Sequence, residues 1–401
     1  MPEPRKNLRP IIPQPGSSRD PATFVGRKAT TQQARRKLLA GTDLLLSDPR
    51  RMGKTYWMRY FCATTTDFTP VFVDYEGVSS TQEFLLRTVE ALKHVSALAD
   101  KARSWLSSLF DNFEITATTG PVGMKKTFEN SSPIKLLTDV VMGLDDREAG
   151  ERRPVLICMD EVPLAIQTIA KMGSPIEART LLQQLRELRQ STRFIRWIVA
   201  GSIGFHHVLR ECGTTVGVLN DLDNLPLGPL SHDDAVELTQ RLFLGIGRTP
   251  DHSAIMRMVE DTGGIPYLIQ KLASSIQFPF IDIPTTGTVT ADIVDEVFEA
   301  WIDDRDESKD VTHFLTRIED YYGTDSPLAH EILRTVLTAG SIPRDELVGK
   351  VSASDHVDQV IEDLIADHYL IEKDAALTWR YPVIRHIYAR RYAIADRGEE
   401  K

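Results

Sequence analysis

Short apolar runs alternate with amphipathic stretches from about residue 24 to residue 224 of the chain. Short and nearly continuous apolar runs are typical of strands that are buried on both faces, and the stretches between them are typical of covering helices. This pattern predicts an α/β domain with a parallel sheet and helices on both of its faces. The predicted strands cover residues 44–47, 71–74, 155–159 and 197–201, with a short edge strand at 218–222.

The predicted α/β domain extends over residues 21–228 and is preceded by a segment of different character. Residues 1–20 are rich in proline and poor in apolar side chains, which predicts an extended N-terminal arm. Within the domain, residues at about 113–128 combine strand-forming side chains with a glycine- and proline-containing turn. They predict a β-hairpin inserted between two strands of the sheet.

The pattern becomes helical after the α/β domain. Residues 229–280 predict a small helical lid, and Ser231 with the two aspartates that follow His232 forms an N-cap and an acidic first turn. Residues 281–320 predict a linker with connecting helices. Residues 321–401 predict helices followed by a terminal hairpin, which is the layout of a winged helix.

A loop with glycine and lysine follows the first predicted strand. Residues 48–55 read Asp-Pro-Arg-Arg-Met-Gly-Lys-Thr, and the residues after them can continue as a helix. A strand, a loop and a helix in this order bring backbone N–H groups and the positive end of the helix onto one anion. Lys54 adds a mobile positive charge for the β- and γ-phosphate oxygens, and Thr55 supplies a hydroxyl ligand for Mg²⁺. The segment predicts a site for ATP and Mg²⁺.

The first position of this loop departs from the usual pattern, because Asp48 stands where glycine is expected. An acidic side chain at this position makes the turn stiffer and places a negative charge near the phosphates. We therefore expect either a weaker nucleotide affinity or an altered loop geometry.

Two acids, Asp160 and Glu161, follow the predicted buried strand at residues 155–159. Ligands of open α/β sheets bind at the carboxyl ends of the strands. Asp160 is predicted to hold Mg²⁺, and Glu161 is predicted to polarise the attacking water. Ser202 follows the next strand and either contacts the water or the γ-phosphate or serves only the turn. Each motif alone has an ordinary structural explanation, but their combination favours a phosphoryl-transfer site.

Length, charge and cysteine content narrow the class of protein. A chain of 401 residues exceeds the usual size of one hydrophobic core and predicts two or three domains. The formal charge of -10 argues against a protein whose whole surface binds nucleic acid, although it is compatible with a local basic patch. The three cysteines have no metal-ligand spacing. The lack of a long apolar run or an apolar signal core predicts a cytoplasmic protein without a membrane partner.

Six short motifs occur along the chain in an order that is known from other proteins. The motifs are Phe24-Val-Gly-Arg27, Pro49-Arg-Arg-Met-Gly-Lys-Thr55, Asp74-Tyr-Glu-Gly77, Met159-Asp-Glu-Val-Pro163, Ala200-Gly-Ser-Ile-Gly204 and Gly263-Gly-Ile-Pro266. In combination they resemble the archaeal-type predicted ATPases within the AAA+/STAND division of P-loop NTPases, a division that includes the origin-recognition ATPases. The resemblance covers about residues 24–273, and the predicted winged helix fits the same families.

The resemblance implies roles for residues outside the phosphate loop. It implies that the motif at residues 24–27 lines the adenine pocket, and that Pro266 in the lid contacts the nucleotide and reports its state. From the residues alone, the glycines and proline of the lid motif also fit a simple helix break. The predicted nucleotide-binding residues are Phe24, Val25, Gly26, Arg27, Pro49, Arg50, Arg51, Met52, Gly53, Lys54, Thr55, Tyr56 and Pro266.

The resemblance further implies a homo-oligomer in which a neighbouring subunit supplies an arginine to the site. Arg210 is the best placed candidate, although most arginines on such helices belong to a solvated face. Arg186, Arg189 and Arg193 lie behind it in the sequence. The complete set of predicted catalytic residues is Lys54, Glu161, Ser202 and Arg210, and the predicted metal ligands are Thr55 and Asp160.

Two functions follow from these predictions. In the first, ATP switches a regulatory assembly, as in signalling and defence ATPases, and the winged helix contacts protein. In the second, the winged helix binds duplex DNA through Arg380, Arg385, Arg390 and Arg391. Residues 326–401 contain 10 Lys and Arg against 13 Asp and Glu, a net charge of -3 that weighs against tight DNA binding. A nucleotide-binding scaffold with little hydrolysis is a third alternative.

Overall fold

The structure is a computed structural model of the 401-residue chain. The chain packs into two compact units: residues 1–28, 48–56 and 227–401 belong to the first unit, and residues 29–47 and 57–226 belong to the second. The predicted division into arm, α/β domain, lid, linker and winged helix remains a prediction. The structure describes residues 8–16, 20–93, 115–118, 125–128, 133–145, 153–201, 204–304, 309–351 and 355–393.

A parallel sheet forms the centre of the second unit. Its strand order is β2-β5-β6-β1-β7, and a separate antiparallel pair, β3 with β4, corresponds to the predicted hairpin. The predicted α/β fold with a parallel sheet is confirmed. The strands are β1 (Asp43–Leu46), β2 (Thr69–Asp74), β3 (Ile115–Thr118), β4 (Lys125–Phe128), β5 (Val155–Asp160), β6 (Ile195–Ala200) and β7 (Leu222–Asn224).

Strand β5 explains why the apolar runs of the sequence are continuous. Each of its residues is buried, from Val155 to Asp160. A strand that is buried along its whole length needs cover on both faces, so helices lie on both sides of the sheet. The helices of this part of the chain are α1 (Lys28–Leu39), α2 (Lys54–Thr64), α3 (Thr81–Lys93), α4 (Pro133–Asp145), α5 (Val162–Met172), α6 (Pro175–Ser191) and α7 (Phe205–Glu211).

The predicted edge strand at residues 218–222 is wrong. The chain forms a 3₁₀ turn over Val216–Leu219, and the edge strand β7 begins only at Leu222, which pairs with Asp43 of β1. The hydroxyl of Thr215 accepts a hydrogen bond from the N–H of Gly217 at 3.4 Å and caps the turn. A short apolar run does not distinguish a turn from a strand, and here the local side-chain cap decides for the turn.

Helices dominate the described part of the first unit after residue 227. The hydroxyl of Ser231 accepts a hydrogen bond from the N–H of Asp234 at 3.2 Å, which confirms the predicted N-cap of the first lid helix. The helices are α8 (His232–Ile246), α9 (His252–Asp261), α10 (Pro266–Gln277), α11 (Ala291–Asp303), α12 (Lys309–Tyr322), α13 (Ser326–Ala339), α14 (Arg344–Lys350), α15 (Val357–Ala366) and α16 (Pro382–Tyr388).

Short strands join these helices. One parallel pair connects the segments before α9 and before α11, and a three-stranded antiparallel sheet lies among α13 to α16. The order of α13, β10, α14, α15, β11 and β12 matches the layout that was predicted for a winged helix, whose identity remains a prediction. The strands are β8 (Thr249–Pro250), β9 (Thr288–Val289), β10 (Ser341–Pro343), β11 (Leu370–Lys373) and β12 (Ala376–Trp379).

Residues 8–16, here called the N-terminal strap, pack along the lid helices. The N–H of Ile11 donates to the carbonyl oxygen of Arg241 at 2.9 Å, and the Nε of Arg241 donates to the carbonyl oxygen of Arg9 at 2.9 Å. The N–H of Gln14 donates to Oε1 of Gln270 at 3.0 Å. The side chain of Ile11 is 4% exposed and belongs to the apolar core of the first unit. The strap is therefore packed against α8 and α10.

Candidate nucleotide-binding site

The phosphate loop occupies residues 48–53 and leads directly into helix α2. Arg51 and Gly53 have φ angles of +73° and +85°, in the left-handed region. Left-handed residues within a turn direct successive backbone N–H groups to one side, which is the arrangement that binds anions. Because α2 begins at Lys54, its first turn adds the positive end of a helix to the same segment.

Lys54 and Thr55 occupy different environments at the start of α2. Lys54 is 6% exposed, and its Nζ donates to the carbonyl oxygens of Asp48 and, at 2.8 Å, of Pro49. These partners are neutral, so phosphate oxygens would give the ammonium group stronger, charge-assisted hydrogen bonds. Thr55 is exposed. Its hydroxyl is a hard oxygen ligand of the kind that Mg²⁺ prefers.

Asp48 is buried in a polar network, with 2% of its surface exposed. One carboxylate oxygen accepts from the N–H of Leu227 at 2.8 Å, and the other accepts from the N–H of Gly228 at 2.9 Å. The Asp48 carboxylate therefore does not act mainly as a negative charge that faces the phosphates. Two backbone N–H groups satisfy its carboxylate instead.

Arg27 completes this network by binding the carbonyl oxygens of the same two residues. Its guanidinium donates to the carbonyl oxygens of Leu227, Gly228 at 2.8 Å and Met52 at 2.7 Å. Burial lowers the pKa of Arg27 to about 10, and the neighbouring Asp48 and Asp234 carboxylates oppose this shift. Arg27 thus joins the predicted adenine-pocket motif to the phosphate loop.

The remaining residues of the motif at 24–27 also contact the phosphate-loop helix or the lid. The ring of Phe24 lies edge-on to the ring of Tyr56, with 5.2 Å between the centroids. The N–H of Arg27 donates to the carboxylate of Asp234 at 3.0 Å. Gly26 has a φ angle of +77°, and a Cβ atom at this position would lie 2.4 Å from Cγ of Asp234. Glycine is therefore required for the close approach of this motif to α8.

The lid motif lies against the phosphate loop. Pro266 is the first residue of α10, and its Cγ lies 3.8 Å from the position that a Cβ atom on Gly53 would occupy. The guanidinium carbon of Arg51 lies 4.0 Å from the centroid of the Tyr267 ring, which is a cation–π contact. The predicted residues of the first unit, from Phe24 to Pro266, are thus brought together around residues 48–56.

The two predicted acids lie in the second unit, at the carboxyl end of β5. Asp160 is 2% exposed, and one of its carboxylate oxygens accepts from the N–H of Glu161 at 3.1 Å. Glu161 has a φ angle of +55° and directly precedes α5, whose second residue is Pro163. A left-handed non-glycine residue at this point is a strained conformation of the kind that is concentrated at functional sites.

The end of β6 approaches the start of α5 closely. A Cβ atom on Gly201 would lie 2.2 Å from Cδ of Pro163, so only glycine fits at this position. Gly201 follows β6, the strand that separates β5 from β1 in the sheet. Ser202 lies outside the described residues, and its predicted contact remains a prediction.

The predicted arginines differ in their surroundings. Arg210 is exposed on α7. Arg189 is 7% exposed and donates to both carboxylate oxygens of Asp221, at 2.7 and 3.1 Å. Arg186 donates to the side chain of Asn220 at 2.9 Å. Arg189 therefore holds the segment before β7 within its own unit and is unsuited to act on a neighbouring subunit.

The sequence missed the partners of the phosphate loop that come from distant positions. Asp48 was noticed only as a departure from the glycine pattern, and Asp234 only as an acidic residue in the first turn of a helix. Leu227 and Tyr267 carry no sequence signal. The glycine at position 228 is the only hint in the sequence that the backbone there adopts a left-handed conformation, and its φ angle is +59°.

Comparison with known proteins supports the fold. A Walker-type ATPase of Pyrococcus abyssi has 16% sequence identity and a TM-score of 0.59, over 95% of this chain and 98% of that chain. The ORC2 protein of Aeropyrum pernix has 13% identity and a TM-score of 0.48, over 97% of each chain. The RuvB Holliday junction branch migration motor of Thermotoga maritima has 13% identity and a TM-score of 0.41, over 91% and 95%. Neither a protein-family model nor a curated protein matches the chain.

The TM-scores of the last two proteins are too low to carry a conclusion, so the comparison rests on the Pyrococcus protein. Its identity is low, but nearly the whole of both chains is covered. Within the described residues, no helix is both long and apolar enough to cross a membrane. This chain has the fold of the Walker-type ATPase of Pyrococcus abyssi, which confirms the predicted P-loop ATPase fold.

Proposed function

We propose that this protein is a Mg²⁺-dependent ATPase that acts as a nucleotide-controlled switch in an oligomeric or partner-bound assembly. The observation that carries the proposal is the phosphate loop, in which two left-handed residues precede a buried lysine at the start of a helix. A chance Gly-Lys-Thr sequence has no reason to adopt this backbone or to bury its ammonium group. The Walker-type fold is consistent with the same role.

Each residue of the proposed site has one task. Lys54 binds the β- and γ-phosphate oxygens, and Thr55 and Asp160 hold Mg²⁺, whose charge offsets the charge of the phosphates. Glu161 accepts a proton from the attacking water. Hydroxyl and carboxylate oxygens form a hard donor set that fits Mg²⁺. Phe24 and the residues around it contact the adenine, and Pro266 connects nucleotide binding to the lid.

An oligomer in which Arg210 reaches the site of a neighbouring subunit belongs to the same proposal. Its support is the exposure of Arg210 on the short helix α7 that follows β6. Nucleotide-dependent assembly would then be the output of the switch. A cytoplasmic location remains a prediction.

The switch is favoured over the DNA-binding alternative by the charges around the C-terminal helices. Arg390 forms an ion pair with Glu299, and Arg344 contacts Asp358 at 3.0 Å. Arg390, which is one of the four arginines predicted to bind DNA, and Arg344 are therefore engaged with acids. The exposed face of α15 carries Asp358 and Glu362, which would repel a DNA backbone. This acidic surface is better suited to bind a protein than to bind DNA.

The proposed site is tested by ATP binding and turnover of two variants. Lys54→Ala is expected to abolish ATP binding, whereas Glu161→Gln is expected to keep binding and lower turnover by about 10² to 10⁴. Lys171→Ala and Glu187→Gln are matched controls, because both side chains are exposed on helices of the second unit. Full ATPase activity of Lys54→Ala would refute the assignment. Unchanged turnover of Glu161→Gln would favour a nucleotide-binding scaffold instead.

A further inference from the structure

Asp48 and Arg27 both bind the backbone of the same two residues, Leu227 and Gly228. Asp48 accepts from both N–H groups of Leu227 and Gly228, and Arg27 donates to both of their carbonyl oxygens. Every backbone polar group of this dipeptide is therefore paired with a charged side chain. Hydrogen bonds to charged groups are stronger than hydrogen bonds between neutral groups. When such bonds are buried, they disfavour other conformations of the backbone that they hold.

The residues of this network lie next to the points where the chain leaves one unit and enters the other. The chain passes between the two units after residues 28, 47, 56 and 226. Arg27, Asp48 and Leu227 each lie within two residues of one of these passages. The network therefore ties together three of the segments through which the units are connected.

The same dipeptide leads into the lid. The N–H of Leu230 donates to the carbonyl oxygen of Gly264 at 2.9 Å, two residues before Pro266. Gly264 has a φ angle of +70°, and a Cβ atom there would lie 3.1 Å from the carbonyl oxygen of Leu230. Contacts thus run from Asp48 through residues 227–230 to the lid motif. From Tyr267, the residue after Pro266, a cation–π contact returns to Arg51 of the phosphate loop.

We propose that Asp48 is a positioning residue that, with Arg27, clamps the phosphate loop to the lid entrance and thereby slows nucleotide release. Asp48 takes the place of the usual glycine because it holds the lid, and its contribution to nucleotide retention is favourable. This inference rests on the proposed nucleotide site and specifies how that site is regulated. It reverses the expectation from sequence that an acid at this position weakens binding.

The energetic basis is the cost of leaving a buried charge without its partners. Asp48→Asn conserves the shape of the side chain, but its amide group can accept from only one of the two N–H groups and presents a donor to the other. Asp48→Gly removes the side chain and restores the usual residue of the loop. Arg27→Gln removes the guanidinium that donates to both carbonyl oxygens of the dipeptide and to that of Met52.

The test measures the dissociation rate of a fluorescent ADP analogue by stopped-flow competition with unlabelled ADP. Asp48→Asn and Asp48→Gly are expected to release the analogue at least about tenfold faster than the wild type. Arg27→Gln is expected to act similarly, and the double variant is expected to be no faster than the faster single variant. Such non-additivity is the signature of two side chains that act through one clamp.

Asp251→Asn is the matched control. Asp251 also accepts from a backbone N–H in the first unit, that of Ala254 at 2.7 Å, but it lies at the start of α9 outside the network. It is expected to lower the Tm without changing ADP release. Unchanged release from both Asp48 variants, or additive effects of the Asp48 and Arg27 substitutions, would overturn the clamp.

A second measurement is independent of nucleotide binding. Hydrogen exchange at the amides of Leu227 and Gly228 is expected to accelerate in Asp48→Asn, because their acceptor is weakened, and to remain slow in Asp251→Asn. Slow exchange in Asp48→Asn would also overturn the clamp. Failure of the wild type to bind the ADP analogue would instead refute the proposed site, and with it the role in nucleotide release.

Discussion

Asp43 is a buried carboxylate at the start of β1. Its carboxylate accepts from the N–H of Trp197 at 2.8 Å. Burial raises the pKa of Asp43 to about 6, although that hydrogen bond and the nearby Arg196 and Arg189 oppose the shift. The ionised form is therefore disfavoured in the folded state.

Asp43 makes stability depend on pH in a defined direction. A carboxyl group whose pKa is raised by folding contributes stability below its unfolded pKa of 3.8, and this stability is lost as the pH rises through about 6. Asp43→Asn removes the titration but keeps an oxygen that accepts from Trp197. The Tm of the variant relative to the wild type is expected to rise between pH 4.5 and pH 8, by an amount that reflects at most about 3 kcal/mol.

The measurement is thermal unfolding of both proteins across this pH range. Asp223→Asn is the control, because the Asp223 side chain is 48% exposed and forms a surface ion pair with Lys37. Its Tm difference from the wild type is expected to vary little with pH. A Tm difference for Asp43→Asn that falls with increasing pH would show that the buried carboxylate is stabilised by its charge.

The sequence singles out some residues of the candidate site and gives no sign of others, for a physical reason. Lys54, Thr55 and Asp160 are recognisable because the chemistry of a triphosphate fixes their spacing and their place after strands. The partners of Asp48 are not recognisable, since Leu227 lies 179 positions away in the sequence. The residue type does not show which acceptor a backbone N–H group binds, so only the folded structure identifies the donors that bind the Asp48 carboxylate.

The N-terminal strap shows how the packing of one element depends on a single glycine in another. Gly245 lies in the last turn of α8, and a Cβ atom at this position would lie 1.9 Å from the carbonyl oxygen of Ile11. Backbone atoms cannot yield as a flexible side chain can. The helix therefore requires glycine here although glycine is unfavourable inside helices.

Gly245→Ala is expected to displace the strap. The gain in helix propensity of about 1 kcal/mol is smaller than the loss from exposing Ile11, which is about 1.5 to 3 kcal/mol. A lower Tm and faster hydrogen exchange at the Ile11 amide are therefore expected, together with easier proteolysis before α1. Limited proteolysis and exchange by mass spectrometry measure these effects.

Gly349→Ala is the matched control for the strap. Gly349 lies in α14, and a Cβ atom at this position would meet nothing within 4 Å. This substitution is expected to be neutral or stabilising by up to about 1 kcal/mol. If Gly245→Ala were equally stabilising, the strap would not pack against α8 in solution.

At the level of elements, hydrophobic periodicity predicted the strands of the sheet, because burial on both faces of a strand produces continuous apolar runs. It also predicted that helices follow over residues 229–280. It placed the edge strand at residues 218–222, where a capped turn forms, and it predicted only an extended arm for residues 1–20. An extended segment such as residues 8–16 is held by backbone hydrogen bonds and one apolar side chain, Ile11. Neither feature produces a periodic pattern.

For the whole molecule, the distribution of charge favours one of the two roles considered for the C-terminal helices, contact with a protein, over binding of duplex DNA. The chain carries a formal charge of -10, and residues 326–401 carry no excess of positive charge. Of the four arginines that were predicted to bind DNA, Arg390 pairs with Glu299, and Arg385 donates to the carbonyl oxygen of Leu337 at 3.5 Å. An arginine that is paired with an acid gives up that contact before it binds a phosphate, which reduces the gain from counterion release.

We therefore expect no specific binding to duplex DNA. Fluorescence anisotropy with a labelled duplex of about 30 base pairs, at 50 mM and 200 mM salt with ADP or a non-hydrolysable ATP analogue, measures this. A protein that contacts six to ten phosphates loses about 10³ to 10⁵ in affinity between these concentrations. Tight binding to the duplex that weakens steeply with salt would contradict the proposal that the C-terminal helices contact protein and not DNA. It would assign these helices to nucleic-acid binding.

Glu299→Gln makes this test sharper, because Glu299 contacts both Arg390 and His386, the latter at 3.0 Å. Its replacement removes one negative charge and releases two basic side chains on the same face. If ion pairing is what prevents DNA binding, the variant gains weak affinity that disappears at 200 mM salt, whereas Glu346→Gln, which pairs with Lys350 on α14, gains none. Equal behaviour of the wild type and both variants, without binding at low salt, would mean that this face is not shaped for DNA and leaves a protein as its partner.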